Sequence, residues 1–263
     1  MEMILLAGLK TPLLSLVAKE LSDWQIPFIT ISDYPEFQTL PAERFDAIIS
    51  LLGFETGVHQ KNNLTNKLLL QIAITTGVRK FILVAMSDHA GVNQNTICLL
   101  RSFYGDLMTC SIKHTIIHRN VFYGELQDVL MAAKAGKVYL FGNGEFKINP
   151  IHITDFAEIC VQSISHNEKE IRVGGPDILT QNEIAEMAFH ASGNAPHIIH
   201  LPRWSKKVVL ITSGIMQQAY RRDQITGFLA KMDRDQISER HGKLRLQDYF
   251  YHEIEQQNNI NYY

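Results

Sequence analysis

Unbroken apolar runs alternate with helical periodicities along the first half of the chain. Met3, Ile4, Leu5, Leu6 and Ala7 form a continuous hydrophobic run, the pattern of a strand buried on both faces, and Gly8 ends it. A helix is predicted at once: Thr11 suits its N-cap, Pro12 its first position, and Leu13, Leu14, Leu16, Val17 and Leu21 recur at helical spacing. Residues 27–32 (PFITIS) predict a second strand with Asp33 at its end, and residues 45–52 (FDAIISLL) a third, closed by Gly53. Residues 66–76 read as a helix stopped by Gly77, and 80–86 (KFILVAM) as the next strand. A polar loop over 87–95, a helix over about 96–108 and a strand over 114–117 follow. Strands that alternate with helices pair in parallel, so the predicted class is α/β with a doubly wound, Rossmann-like parallel sheet.

The pattern then changes. Residues 126–135 predict a helix, and 137–148 (KVYLFGNGEFKI) a hairpin with Asn143 and Gly144 at its turn. Asp155 and Glu158 read as a capping box, as do Thr180 and Glu183, the latter with Leu179 and Ile184 placed as a hydrophobic staple. Further helices are predicted over 206–220 and 224–231. The organisation expected is a core over 1–124, completed by 147–173, and a small C-terminal substrate-capping region made of 125–146 and 174–263. The cap would cover the carboxyl ends of the strands, where ligands sit in open α/β sheets.

The first turn carries the most informative chemistry. In a dinucleotide-binding turn one glycine permits the bend, a second lets backbone amides approach the pyrophosphate, and a third lets helix and strand pack closely. Here those places fall on Gly8, Thr11 and Leu14. Only the bend is retained; Thr11 stands where a phosphate would rest, and Leu14 should push the helix outward or require repacking. The helix N-terminus still offers amides and a positive dipole, and Lys10 adds charge, so the turn reads either as a residual anion site or as an ordinary βα connection. Asp33 reads either as a ribose-binding carboxylate that favours NAD over NADP or as a turn former.

Composition narrows the partners. Of 263 residues 46% are hydrophobic, enough for a sizeable core, and 25 basic against 27 acidic residues leave a net charge of −2. That balance gives no electrostatic footprint for nucleic acid or an anionic membrane and points to a small-molecule partner. Cys98, Cys110 and Cys160 form no CxxC pair, so neither a disulfide framework nor a zinc site is expected, and His197 and His200 have no evident third ligand. A reducing cytoplasm is the expected setting: the N-terminus opens on a strand without the features of a signal peptide, and the apolar stretch 208–216 is too short for a bilayer. That stretch could equally serve a partner helix, which leaves a homo-oligomer open.

Residues 138–161 (VYLFGNGEFKINPIHITDFAEICV), 77–86 (GVRKFILVAM) and 174–185 (GGPDILTQNEIA) carry a family likeness. With them the chain resembles the atypical short-chain dehydrogenases/reductases, the NmrA-like branch of the NAD(P)-binding Rossmann proteins, over nearly its whole length. The resemblance implies a Rossmann fold and a dinucleotide near Gly8, Lys10, Thr11, Asp33 and Gly53, although the glycine motif is degenerate, so the expected cofactor is none or a weakly bound NAD(P). Relatives place another helix and strand where this chain has 34–44. Reductases of the wider family use tyrosine with lysine four residues later; no such pair occurs here, and Tyr104 is followed at that spacing by Met108.

Polar residues after the central strands are the remaining candidates. His118, Tyr104 and Asp88 are the candidate catalytic groups, because histidine titrates near neutrality and a nearby carboxylate or phenol can orient it. Ser87, His89, Arg119, Asn120 and Tyr123 are the candidate substrate contacts. His118 replaces an arginine usual in relatives and Arg119 a proline, while His152 reads as structural. Three functions are compatible with this set: a non-redox enzyme for isomerisation, cyclisation or elimination, an NAD(P)-dependent oxidoreductase, and a non-catalytic sensor or subunit.

Overall fold

In chain order the elements are β1 (Ile4–Ala7), α1 (Pro12–Asp23), β2 (Phe28–Ile31), β3 (Ala47–Gly53), α2 (His59–Thr76), β4 (Lys80–Met86), α3 (Gln94–Thr109) and β5 (Lys113–Arg119). A 3-10 turn (Tyr123–Leu126) leads into α4 (Gln127–Lys134), β6 (Val138–Phe141), β7 (Lys147–Ile148), α5 (Ile153–Gln162) and β8 (Glu170–Gly174). The chain continues with β9 (Leu179–Thr180), α6 (Gln181–Ser192), β10 (Ile198–Leu201), β11 (Glu239–Arg240) and α7 (Leu246–Ile260). This computed structural model describes residues 3–32, 45–53, 59–86, 94–204 and 234–260. Asp33, the loop residues Ser87, Asp88 and His89, the stretch 208–216 and the helices expected over 206–220 and 224–231 lie outside them.

Among the described residues seven strands form one parallel sheet in the order β11-β8-β5-β4-β3-β1-β2, the doubly wound α/β class that the alternating pattern predicts. The chain divides into two compact units, Met1–Arg119 with Ile153–Arg172, and Asn120–His152 with Val173–Tyr263.

In the first unit β1 pairs with β2 and β3, and β4 pairs residue for residue with β5 from Lys80 opposite Lys113 to Met86 opposite Arg119. One core joins Leu5, Ile48, Phe81, Leu83 and Ile116 of the strands to Leu69, Leu70 and Ala73 of α2 and to Phe103 and Leu107 of α3. α1 buries Leu13, Leu14, Val17 and Leu21 and packs on α5. Each such buried leucine contributes about 1.5–3 kcal/mol of transfer free energy. α2 begins well before the apolar pattern does, because its first half buries Asn62, Asn63, Thr65 and Asn66. The Ser50 hydroxyl donates to Asn66 Oδ1 at 2.5 Å, one of the bonds that make a polar helix face tolerable inside the protein.

The second unit has its own core of Leu126, Leu130, Val138, Ile184, Phe189 and Phe250. Residues 137–148 do not form the expected hairpin. β6 pairs in parallel with β10 and β7 pairs antiparallel with β9, so two distant segments take the partners that the Asn143–Gly144 turn would have joined. Asn182 holds that turn, its amide N–H donating to Gly144 O at 3.1 Å and its side chain to Asn143 O at 3.0 Å. The Thr180–Glu183 capping box is present, and α6 ends at Gly193 in the left-handed conformation. The other box is not: α5 starts at Ile153, which puts Asp155 inside the first turn, where its charge suits the helix dipole. No helix among the described residues is long and apolar enough to cross a membrane.

Candidate functional site

The β1–α1 turn is built as a capped helix start. Thr11 is extended (φ −126°, ψ 161°), its hydroxyl accepts from the Leu14 N–H at 3.4 Å, and Pro12 takes the first helical position. Leu14 does not drive α1 away from the sheet. It is buried, and its Cδ1 would lie 3.2 Å from a Cβ on Gly8, so the methyl groups occupy the volume that the missing side chain leaves. The repacking is therefore local, between Leu14, Gly8 and Leu51. Lys10 is exposed beside this turn. Gly53 serves the sheet directly: a Cβ there would come within 2.3 Å of the Val84 carbonyl oxygen, at the point where the β3–β4 register shifts.

At the carboxyl end of β5 the strand runs two residues further than the sequence suggests and takes in His118 and Arg119. Alternation along the strand sends their side chains to opposite faces. His118 Nε2 lies 3.8 Å from Glu170 Oε2 at the start of β8; the histidine side chain is 13% exposed and the glutamate 44%. Arg119 is buried.

Tyr104 of α3 packs against the core of the same unit. Burial, and then the negative charge of Glu170, push its phenol up to about 12. A phenol so placed keeps its proton, the opposite of the lowered pKa that a proton-delivering tyrosine uses. Its oxygen has no hydrogen-bond partner among the described residues. Sequence reasoning missed Glu170, which belongs to the plain strand EIRVG and reaches His118 only through the pairing of distant segments.

Asn120 and Tyr123 belong to the second unit and are engaged there. Asn120 Nδ2 donates to Asn149 Oδ1 at 2.8 Å and to Gln236 O at 2.9 Å, while its Oδ1 accepts from Val121 N–H at 2.8 Å. Asn149 in turn donates to Ser238 O and accepts from Ser238 N–H, both at 2.9 Å. The Tyr123 hydroxyl donates to Leu244 O at 2.7 Å, and its buried ring sits 5.7 Å from His152 and 5.6 Å from Tyr249. His152 thus packs edge-on against two tyrosines. Burial and the neighbouring Glu253 also push Tyr249 up to about 12. His200 pairs through Nε2 with Asn182 Oδ1 at 2.9 Å, and among the described residues no group of three His, Cys, Asp or Glu side chains could hold a metal.

Solved structures share this arrangement of strands and helices. A nucleoside-diphosphate-sugar epimerase from Staphylococcus aureus superposes with a TM-score of 0.67 at 16% identity, covering 95% of this chain and 100% of the other. A GDP-mannoheptose C4 reductase from Campylobacter jejuni, solved with NADP bound, gives 0.64 at 10% identity, over 97% and 98% of the two chains. The chain shares its Rossmann-like fold with these proteins. A UDP-glucose 4-epimerase from Thermus thermophilus, in complex with NAD, shares it with a TM-score of 0.58 at 13% identity over 76% of this chain and 86% of that one. No protein-family model matches the chain. Among curated proteins, a stretch of 77 residues is 30% identical to the mitochondrial NADH dehydrogenase (ubiquinone) 1 alpha subcomplex subunit 9 of Arabidopsis thaliana; it takes in 28% of this chain and only 19% of that protein.

Proposed function

We propose that this chain is a small-molecule enzyme on the short-chain dehydrogenase/reductase scaffold that moves protons rather than hydride, in an isomerisation, cyclisation or elimination. The observation that carries the reading is the β1–α1 turn. A pyrophosphate needs bare backbone amides at the helix start, and here the Thr11 hydroxyl already takes the Leu14 N–H while the Leu14 side chain fills the recess at Gly8. These residues do not fit a dinucleotide's phosphates. Lys10 and the remaining helix amides suit a smaller or weaker anion.

His118 is the proton-transfer group in this reading. It stands next to last in β5, at the carboxyl end of a parallel strand, and a neutral imidazole there can take a proton from one substrate atom and return it at another. Arg119, the buried residue that follows it, points to the opposite face of the sheet and takes no part in this reading. Tyr104 is a structural neighbour here, because its environment holds its proton too tightly for the task.

A second reading, an NAD(P)-dependent oxidoreductase, draws support from likeness over nearly the full chain to a reductase solved with NADP bound. Thermal unfolding with NAD, NADH, NADP and NADPH separates the two. A ligand at a hundredfold its dissociation constant adds about 2.7 kcal/mol to the native state. The proton-transfer reading expects no rise in Tm at millimolar concentrations of any of the four; a rise with one of them selects the oxidoreductase.

A further inference from the structure

His118 and Glu170 come from separate strands of the first unit and meet on one face of the sheet. Ile116 N–H donates to Lys169 O at 2.8 Å, which sets β5 beside β8 and brings the imidazole Nε2 to 3.8 Å from the carboxylate. Among the described residues two other histidine–glutamate pairs have the same separation, His166 with Glu168 and His241 with Glu239. Those join near neighbours in sequence, and both glutamates are mostly exposed. The His118 pair instead joins a largely buried imidazole at the carboxyl end of a strand to a half-exposed carboxylate carried by the neighbouring strand.

Other groups among the described residues share this side of the sheet. Arg172 shares Glu170's face of β8 and is exposed, His114 shares His118's face of β5 and is buried, and α3 contributes Tyr104 with its unpartnered phenol oxygen. None of these is a second carboxylate. Glu170, 3.8 Å from His118 Nε2, is a carboxylate that can answer a charge on the imidazole.

We propose that Glu170 is a positioning residue for His118 that stabilises its imidazolium form. The inference rests on the reading of His118 as the proton-transfer group. A carboxylate at this distance favours the charged imidazole by direct attraction. His118 would then be charged over a wider span of pH than the same histidine without Glu170.

The test is an NMR titration of the His118 ring in the full chain, with the resonance assigned by its loss in His118→Gln. Glu170→Gln should lower the midpoint by about half a unit or more, roughly a threefold loss of proton affinity. Glu170→Asp should restore part of that shift. Glu168→Gln, which removes a carboxylate two residues away along the chain, is the control: it should leave His118 in place. An unchanged midpoint in Glu170→Gln, or an equal shift in Glu168→Gln, overturns the assignment. Should Glu170→Gln fail to fold, the unaltered protein still decides the matter, because a half-exposed pair is screened and the His118 midpoint must fall as salt rises; a midpoint indifferent to salt rejects the pair. The titration uses neither substrate nor nucleotide, so its failure would leave the proton-transfer reading standing, and dinucleotide binding would leave the pair standing.

Discussion

The ammonium group of Lys80 donates hydrogen bonds to the carbonyl oxygens of Ser163, 2.5 Å away, and of His166. A lysine at the first position of β4 thereby closes the chain that leaves the end of α5. Burial and the nearby Lys113 lower its pKa, so the bond to two carbonyls is held against a desolvation penalty. Lys80→Met should cost about 1–3 kcal/mol, because it strips the donor from the buried Ser163 carbonyl and the partly buried His166 carbonyl. Urea unfolding at neutral pH measures it; a loss below a few tenths of a kcal/mol would show that water replaces the ammonium at no cost.

Leu14 and Thr11 should differ sharply in what they contribute. Leu14→Ala removes buried methyl groups from the recess at Gly8 and should cost about 2–4 kcal/mol. Thr11→Gly keeps the extended backbone of the cap and should cost only a few tenths. Denaturant midpoints of the two variants check this ordering, and similar losses would mean that the cap, not the packing, fixes the start of α1.

Tyr104 predicts a loss of stability in alkali. Its phenol titrates near 12 in the folded chain and near 10 in the unfolded one, so between those values the folded state holds the extra proton and stability falls as pH rises. The loss is on the order of 2 kcal/mol across the interval. Tyr104→Phe should abolish that part of the decline. At neutral pH the same variant should be as stable as the parent or slightly more so, since the phenol oxygen has no partner to lose. Unfolding followed from pH 7 to 12 in both proteins tests the two statements together.

Asn149 should be hard to replace. Its side chain serves Asn120, Gly175 and both backbone groups of Ser238, all within the second unit. Asn149→Ala should cost about 2–4 kcal/mol, as several buried groups lose partners at once. Amide hydrogen exchange at Ser238 gives a local readout, because that N–H bonds to Asn149 Oδ1 at 2.9 Å. Protection at Ser238 that survives the substitution would mean that the neighbouring backbone pairing holds the segment alone.

Much of the first unit was legible because local and tertiary signals agree there. The strand over 80–86, the Thr11 cap and Pro12 all stand where the pattern puts them, and so does the Thr180–Glu183 box in the second unit. The start of α2 was not legible, because Asn62, Asn63, Thr65 and Asn66 are polar residues on a buried face and hydrophobic periodicity cannot register them. The expected hairpin failed for the reverse reason: its turn chemistry is sound, but β10 and β9 offer better partners from far along the chain. The candidate site divides likewise. His118 and the altered turn are visible in sequence, whereas Glu170 depends on strand pairing and the raised Tyr104 pKa on burial.

The packing of α1 on α5 binds residues 12–23 to residues 153–162. A ribosome therefore releases the first helix long before its companion exists, and the leucines of α1 must wait through most of the synthesis of the first unit. Nascent chains in that condition are the ones that chaperones shelter. The Pro12 start and Thr11 cap let α1 hold its own shape meanwhile, which shortens the list of wrong companions it can take.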